Sequence, residues 1–129
     1  MTASASTPLA RTQARQAFEQ LQVAMYEAAA TLVHEAELVT AMLTSIDAEP
    51  SLSDVAANFP IAEERNRLTA ALDRYETYRR DARLALWRAM LDEGRSIGEI
   101  SRNFGLSRQL VSRQLRDDRH SRDASSRRR

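Results

Sequence analysis

The sequence contains no cysteine and no lysine: all 19 of its basic residues, two histidines aside, are arginine. Without cysteine there can be no disulfide scaffold and no Cys-ligated zinc site, which fits a reducing compartment. Exclusive use of arginine is what a GC-rich coding sequence produces, as in a high-GC bacterium or its phages and plasmids. It also supplies the planar fork that binds phosphate and guanine bidentately. Glycine and proline number three each, so few breaks punctuate the chain. No window alternates apolar and polar β-branched residues, so no strand is predicted. No apolar run approaches the roughly 20 residues a membrane helix needs. The opening "MTASASTPLA" lacks a basic region followed by an apolar one, so it does not read as a secretory signal, and a cytoplasmic location is expected.

What remains is a helix-forming vocabulary of Ala, Arg, Glu, Gln and Leu in 129 residues, 43% hydrophobic and 29% charged. That is enough for one domain, or for one core with an appended module. The expected fold is all-α: two long antiparallel helices in a dimerising bundle, then a C-terminal helix-turn-helix. Residues 1–8 are small and polar and are expected to be disordered. From about Leu9 to Ile46 there is neither Gly nor Pro. Phe18, Leu21, Met25, Ala28, Leu32, Glu35, Val39, Met42 and Ile46 recur at spacings of three and four, a heptad-like seam with one polar interruption. "DAEPSLSDVAANFP" breaks it, with room for a short helical turn at Asp54–Asn58. A second long helix is expected from about Ile61 to Glu93, with Ile61, Leu68, Leu72, Tyr75, Ala82, Leu86 and Ala89 on its seam and Gly94 as its left-handed stop.

Two helices alone make a thin core, and the first carries apolar residues outside one stripe. A homodimer is therefore expected, with Phe18, Leu21, Met25, Leu32, Val39 and Met42 at its interface. Residues 9–80 would form this scaffold.

Charge is unevenly spread. Two arginines stand against six acids up to Pro50, seven against eight from Ser51 to Gly94, and ten against four from Arg95 onward, a net of +6 at that end. A basic end on an acidic scaffold is the footprint of a nucleic-acid-binding module. The basic end holds "SIGEISRNFGLSRQLVSRQL". Ser96 with Glu99 three residues on forms a capping box and starts a helix. Ile97, Ile100 and Phe104 share a face. Gly105 ends the helix, and Ser107 caps the next, whose Leu110, Val111 and Leu115 point inward.

This pattern resembles the helix-turn-helix superfamily, in particular the resolvase/invertase-type, AsnC-type and sigma-factor region 4-type modules. The residues that carry the likeness are Ile97, Ile100, Ser101, Phe104, Gly105, Leu106, Ser107, Val111 and Leu115, within "FGLSRQLVSRQL". The preceding "RLALWRAMLDEG" looks like the first helix of a trihelical unit, so the module would span residues 81–116. The pattern departs at Gln114, where many members carry an aliphatic residue. The resemblance implies double-stranded DNA as partner, with the second helix in the major groove. Ser107 and Arg108 would then lie near phosphate, Gln109, Ser112 and Arg113 would face bases, and Arg102 and Arg116 would contact phosphate. A two-fold dimer would prefer half-sites roughly 34 Å apart. The basic tail, residues 117–129, is expected to be flexible, either following phosphates or entering a minor groove, or merely solvated.

The other candidates are weaker. His34 with Glu35 and Glu37 is too sparse for a metal site, and His120 is a bystander. Trp87, Tyr75 and Tyr78 read as packing residues, and "RYETYRRDAR" as a solvated face of paired charges. There is no Ser-His-Asp set and no phosphate-binding loop, so no enzyme and no cofactor are expected, and the resemblance does not extend to a recombinase domain. The leading expectation is a nucleoid-associated transcriptional repressor. The alternatives are a plasmid-partition, phage-packaging or nucleoid-architectural DNA-binding protein, and, from another class, a helical protein–protein adaptor.

Overall fold

A computed structural model describes residues 5–127. They form five helices and no strand: α1 (Pro8–Ala48), α2 (Leu52–Ala57), α3 (Ile61–Asp92), α4 (Ile97–Phe104) and α5 (Arg108–Arg127). Among these residues no helix is long and apolar enough to cross a membrane. The two long helices pack together, and by packing the chain divides into two units. One comprises Glu19–Arg79; the other combines the stretch up to Phe18 with Arg80 onward. The start of α1 is thus grouped with Arg80 onward and not with the rest of α1.

In the Glu19–Arg79 unit, α1 and α3 run antiparallel. Glu27 pairs with Arg74 at 2.8 Å, and His34, farther along α1, meets Glu64, earlier on α3, at 3.4 Å. The face of α1 turned inward carries Leu21, Ala24, Ala28, Thr31, Glu35, Leu38 and Met42, spaced alternately by three and four. Ala24 and Ala28 are buried, and with no side chain beyond Cβ they let the two helices approach closely. The matching face of α3 carries Glu64, Leu68, Ala71, Tyr75 and Tyr78. The inward seam is therefore not the one expected. Leu21, Ala28, Glu35 and Met42 lie on it, whereas Phe18, Met25, Leu32, Val39 and Ile46 are exposed. Where the two seams differ, the inward one offers the small Ala24 and Thr31 in place of Met25 and Leu32, and small residues let two backbones approach.

The short α2 starts two residues earlier than expected. Ser51 caps it, accepting from the Asp54 N–H at 3.4 Å, and Val55 is its buried anchor. Glu64 is the one buried charged residue of this unit. Its carboxylate lies 3.4 Å from His34 Nε2 and 3.5 Å from Arg67 Nη1. Burial pushes the neighbouring Glu35 carboxyl above the ordinary glutamate value. A hydrogen bond to Glu64 and its negative charge add to the rise, while His34 and Arg67 oppose it.

In the other unit, Thr7 N–H donates to Asp92 at 2.6 Å and Ser6 Oγ donates to Glu93, so the chain just before α1 is tied to the end of α3. Of the stretch expected to be disordered, Ser6 and Thr7 are thus held by hydrogen bonds and Pro8 already opens α1, while residues 1–4 lie outside the described residues. Ala14 faces inward with Ala82, Ala85 and Ala89. α3 ends in a Schellman motif: Gly94, at φ +86°, donates to Leu91 O at 3.0 Å, and Arg95 donates to Met90 O at 3.0 Å.

The candidate nucleic-acid interface

The C-terminal module is built on a small core. Leu84 and Trp87 from α3, Ile100 from α4 and Val111 from α5 form a buried cluster. Met90, Ile97, Phe104, Leu106 and Leu115 close around it. Trp87, Ile100 and Val111 are the largest fully buried side chains, and Phe104 meets the indole edge-on at 5.6 Å. Arg83 lies over the indole, its guanidinium carbon 5.4 Å from the ring centre, and donates to Gln114 Oε1 at 2.9 Å. That bond gives the polar side chain at position 114 a structural role: it holds the arginine that covers the tryptophan.

Two caps and one turn fix α5 against α4. Ser96 Oγ accepts from the Glu99 N–H at 3.1 Å, the first half of the expected capping box. The second half is replaced, because the Glu99 carboxylate accepts from Arg95 Nη1 at 3.2 Å. Gly105, at φ +64°, closes α4 with a second Schellman pair: Gly105 donates to Arg102 O at 3.4 Å and Leu106 to Ser101 O at 3.0 Å. The Ser101 hydroxyl donates to Leu106 O, which accounts for a small polar residue where α4 and the turn meet. Ser107 Oγ then accepts from the Leu110 N–H at 3.1 Å and starts α5.

Opposite the Val111 and Leu115 face of α5, Gln109, Arg113 and Arg116 stand exposed at spacings of four and three. Ser112 is half-buried beside them, and Ser107 is exposed at the helix N-terminus. Arg102 is exposed in the last turn of α4. Arg108 is exposed but folds back: a Cβ placed on the buried Gly98 would lie 3.0 Å from Arg108 Nη2. Its charge therefore sits over the first turn of α4, and Gly98 leaves the room for it.

The flexible tail expected at 117–129 is instead helical, as a continuation of α5 as far as Arg127; residues 128 and 129 lie outside the described residues. Nothing after Gly105 breaks a helix, and Asp118 is anchored by Arg88 of α3. Acids and arginines also alternate there at helical spacing, Asp118 with Arg122 and Arg119 with Asp123. Beside the pair, Arg88, Ser112, Arg116 and Arg119 edge an open groove of about 520 Å³. The Arg88–Asp118 and Arg83–Gln114 pairs join residues 30 and 31 positions apart, so no local pattern announces them.

Among the described residues no three His, Asp or Glu side chains converge as a metal site would require. No protein-family model, no curated protein and no solved structure matches the chain.

Proposed function

We propose that the chain is a sequence-reading, double-stranded-DNA-binding protein with a C-terminal helix-turn-helix module, acting as a homodimeric transcriptional repressor. The observation that carries this reading is the face of α5 bearing Gln109, Arg113 and Arg116. It is exposed, basic and uncovered, on a helix whose other face is locked into a core by Val111 and by two capped turns. A recognition helix needs both properties, because base edges are read only by side chains held in a fixed register. Gln109 and Arg113 suit adenine and guanine respectively, and Ser112 lies between them. Ser107, Arg102 and Arg116 supply the phosphate contacts that set the register, and Arg108, turned back over Gly98, would have to swing out to join them. The proposed repressor acts in the cytoplasm, at the nucleoid, by occluding its site.

A second reading is favoured by one observation. α5 continues as a helix past this face and carries Arg119 and Arg122. Arginines there suit phosphates regardless of sequence, as an architectural or partition protein would need.

Selection from a random double-stranded pool at about 150 mM salt, where purely electrostatic binding is suppressed, tests both. The repressor reading expects an enriched inverted repeat; retention without enrichment would replace it by the architectural one. No retained DNA would leave a protein–protein adaptor. On the selected site, Arg113→Ala is expected to cost about 1–3 kcal/mol and to relax preference at one base pair. An unchanged preferred sequence would remove Arg113 from the reading face.

A further inference from the structure

α1 carries a second heptad seam that α3 does not cover. Within the Glu19–Arg79 unit, Met25, Ala29, Leu32, Ala36, Val39 and Leu43 are spaced alternately by four and three and are all exposed. The four large ones are 49–57% exposed, and none of the six positions is charged. At 100° per residue this seam is centred about a quarter-turn from the seam facing α3, the offset between two neighbours of one helix in a four-helix bundle. Gln22 and Ile46 extend it to 25 residues, about 36 Å, or more than three heptads. Tyr26 and Val33, 71% and 59% exposed, widen it on the outer side. A helix apolar over that much of its circumference is a buried helix.

We infer that the occupant is a second copy of this chain, seated antiparallel so that the two α1 helices pair across a two-fold axis beside residue 34. The argument is register. In that arrangement Leu32 of one copy lies opposite Ala36 of the other, Ala29 opposite Val39, and Met25 opposite Leu43. Large side chains meet small ones in the four central layers of the six, which keeps the helix separation even across the middle of the seam. A parallel pairing would stack Ala on Ala and Leu on Leu, alternating narrow and wide layers that one separation cannot fit. The contact is isologous, so a single seam serves both copies. Two α1–α3 pairs then make the four helices of a bundle. The inference rests on the two-copy part of the reading above, and not on DNA recognition.

The experiment reads mass and cross-linking in the full chain without DNA, so its failure and the failure of base reading are distinguishable. Sedimentation equilibrium across the micromolar range is expected to give a dimer, and Leu32→Glu with Val39→Glu is expected to give a monomer with the same helical circular dichroism. A monomeric parent chain, or a dimer that survives both glutamates, overturns the inference. Because the chain has no cysteine, register can be read directly should the glutamate variant fail to fold. Met25→Cys with Leu43→Cys is expected to form a covalent dimer under mild oxidation. Either single variant should not, since 18 residues of helix place equivalent positions about 27 Å apart, far beyond disulfide reach. Cross-linking by Leu43→Cys alone, or none by the pair, overturns the antiparallel seam.

Discussion

Single side chains settle several points that spacing alone leaves open. Glu35 breaks an otherwise apolar periodicity, and its reason is tertiary: it lies half-buried against Glu64, with His34 and Arg67 as the opposing charges. Its carboxyl is raised in the folded chain, so ionising it disfavours folding. Below the ordinary glutamate value both states bind the proton and the effect is absent; it develops as pH rises and is complete above the folded value. Glu35→Gln keeps the shape and donates to Glu64. It is therefore expected to raise the melting temperature at pH 7 and to converge with the parent chain as pH falls below about 4.3. Thermal melts over that range check it, and a difference that grew toward acid would contradict the assignment. Gln114 teaches the opposite lesson. Its polarity counts against a recognition-helix pattern in sequence, yet its carboxamide serves the core by holding Arg83 over Trp87.

At the level of elements, helix starts and stops are local chemistry and were legible. Ser96, Gly105 and Ser107 bound α4 and α5 where the capping signals stand, and Gly94 ends α3 as expected. The two ends that differ do so because a partner lies far away in sequence. Residues 6 and 7 are tied down by Glu93 and Asp92, and α5 runs on past Arg116 with Asp118 held by Arg88. Asp118→Ala is expected to cost about 1 kcal/mol or less in global stability, since Arg88 remains partly solvated. Its clearer effect would be fraying of α5 beyond that point, read as faster amide exchange over residues 119–127. Unchanged exchange there would mean that the end of the helix stands without its anchor.

At the scale of the whole molecule, the division into two units suggests a division of labour that mutations can separate. Trp87 is fully buried at the centre of the C-terminal module core, and its indole N–H has no partner among the described residues. Trp87→Ala is expected to cost about 3–5 kcal/mol through the cavity it leaves, and Trp87→Phe far less, because no hydrogen bond is lost. Under the proposals made above, Trp87→Ala abolishes DNA retention while the chain still sediments as a dimer. Glutamates at Leu32 and Val39 remove the dimer and leave weak half-site binding. Measuring both variants for mass and for DNA retention checks the pairing of task with unit, and loss of both properties in each variant would refute it.

The sequence by itself determined the all-α class, the long helices and their ends, and the apolar faces of α4 and α5. All of these follow from neighbours within about four residues, where turn chemistry and helical periodicity act. It also determined that α1 has more apolar surface than one partner can cover. Only the tertiary structure decided which stripe of α1 faces α3. Two interleaved heptads share Leu21, Ala28, Glu35 and Met42, and periodicity cannot rank them. Close approach ranks them, because the unshared Ala24 and Thr31 let two backbones come together where Met25 and Leu32 would not.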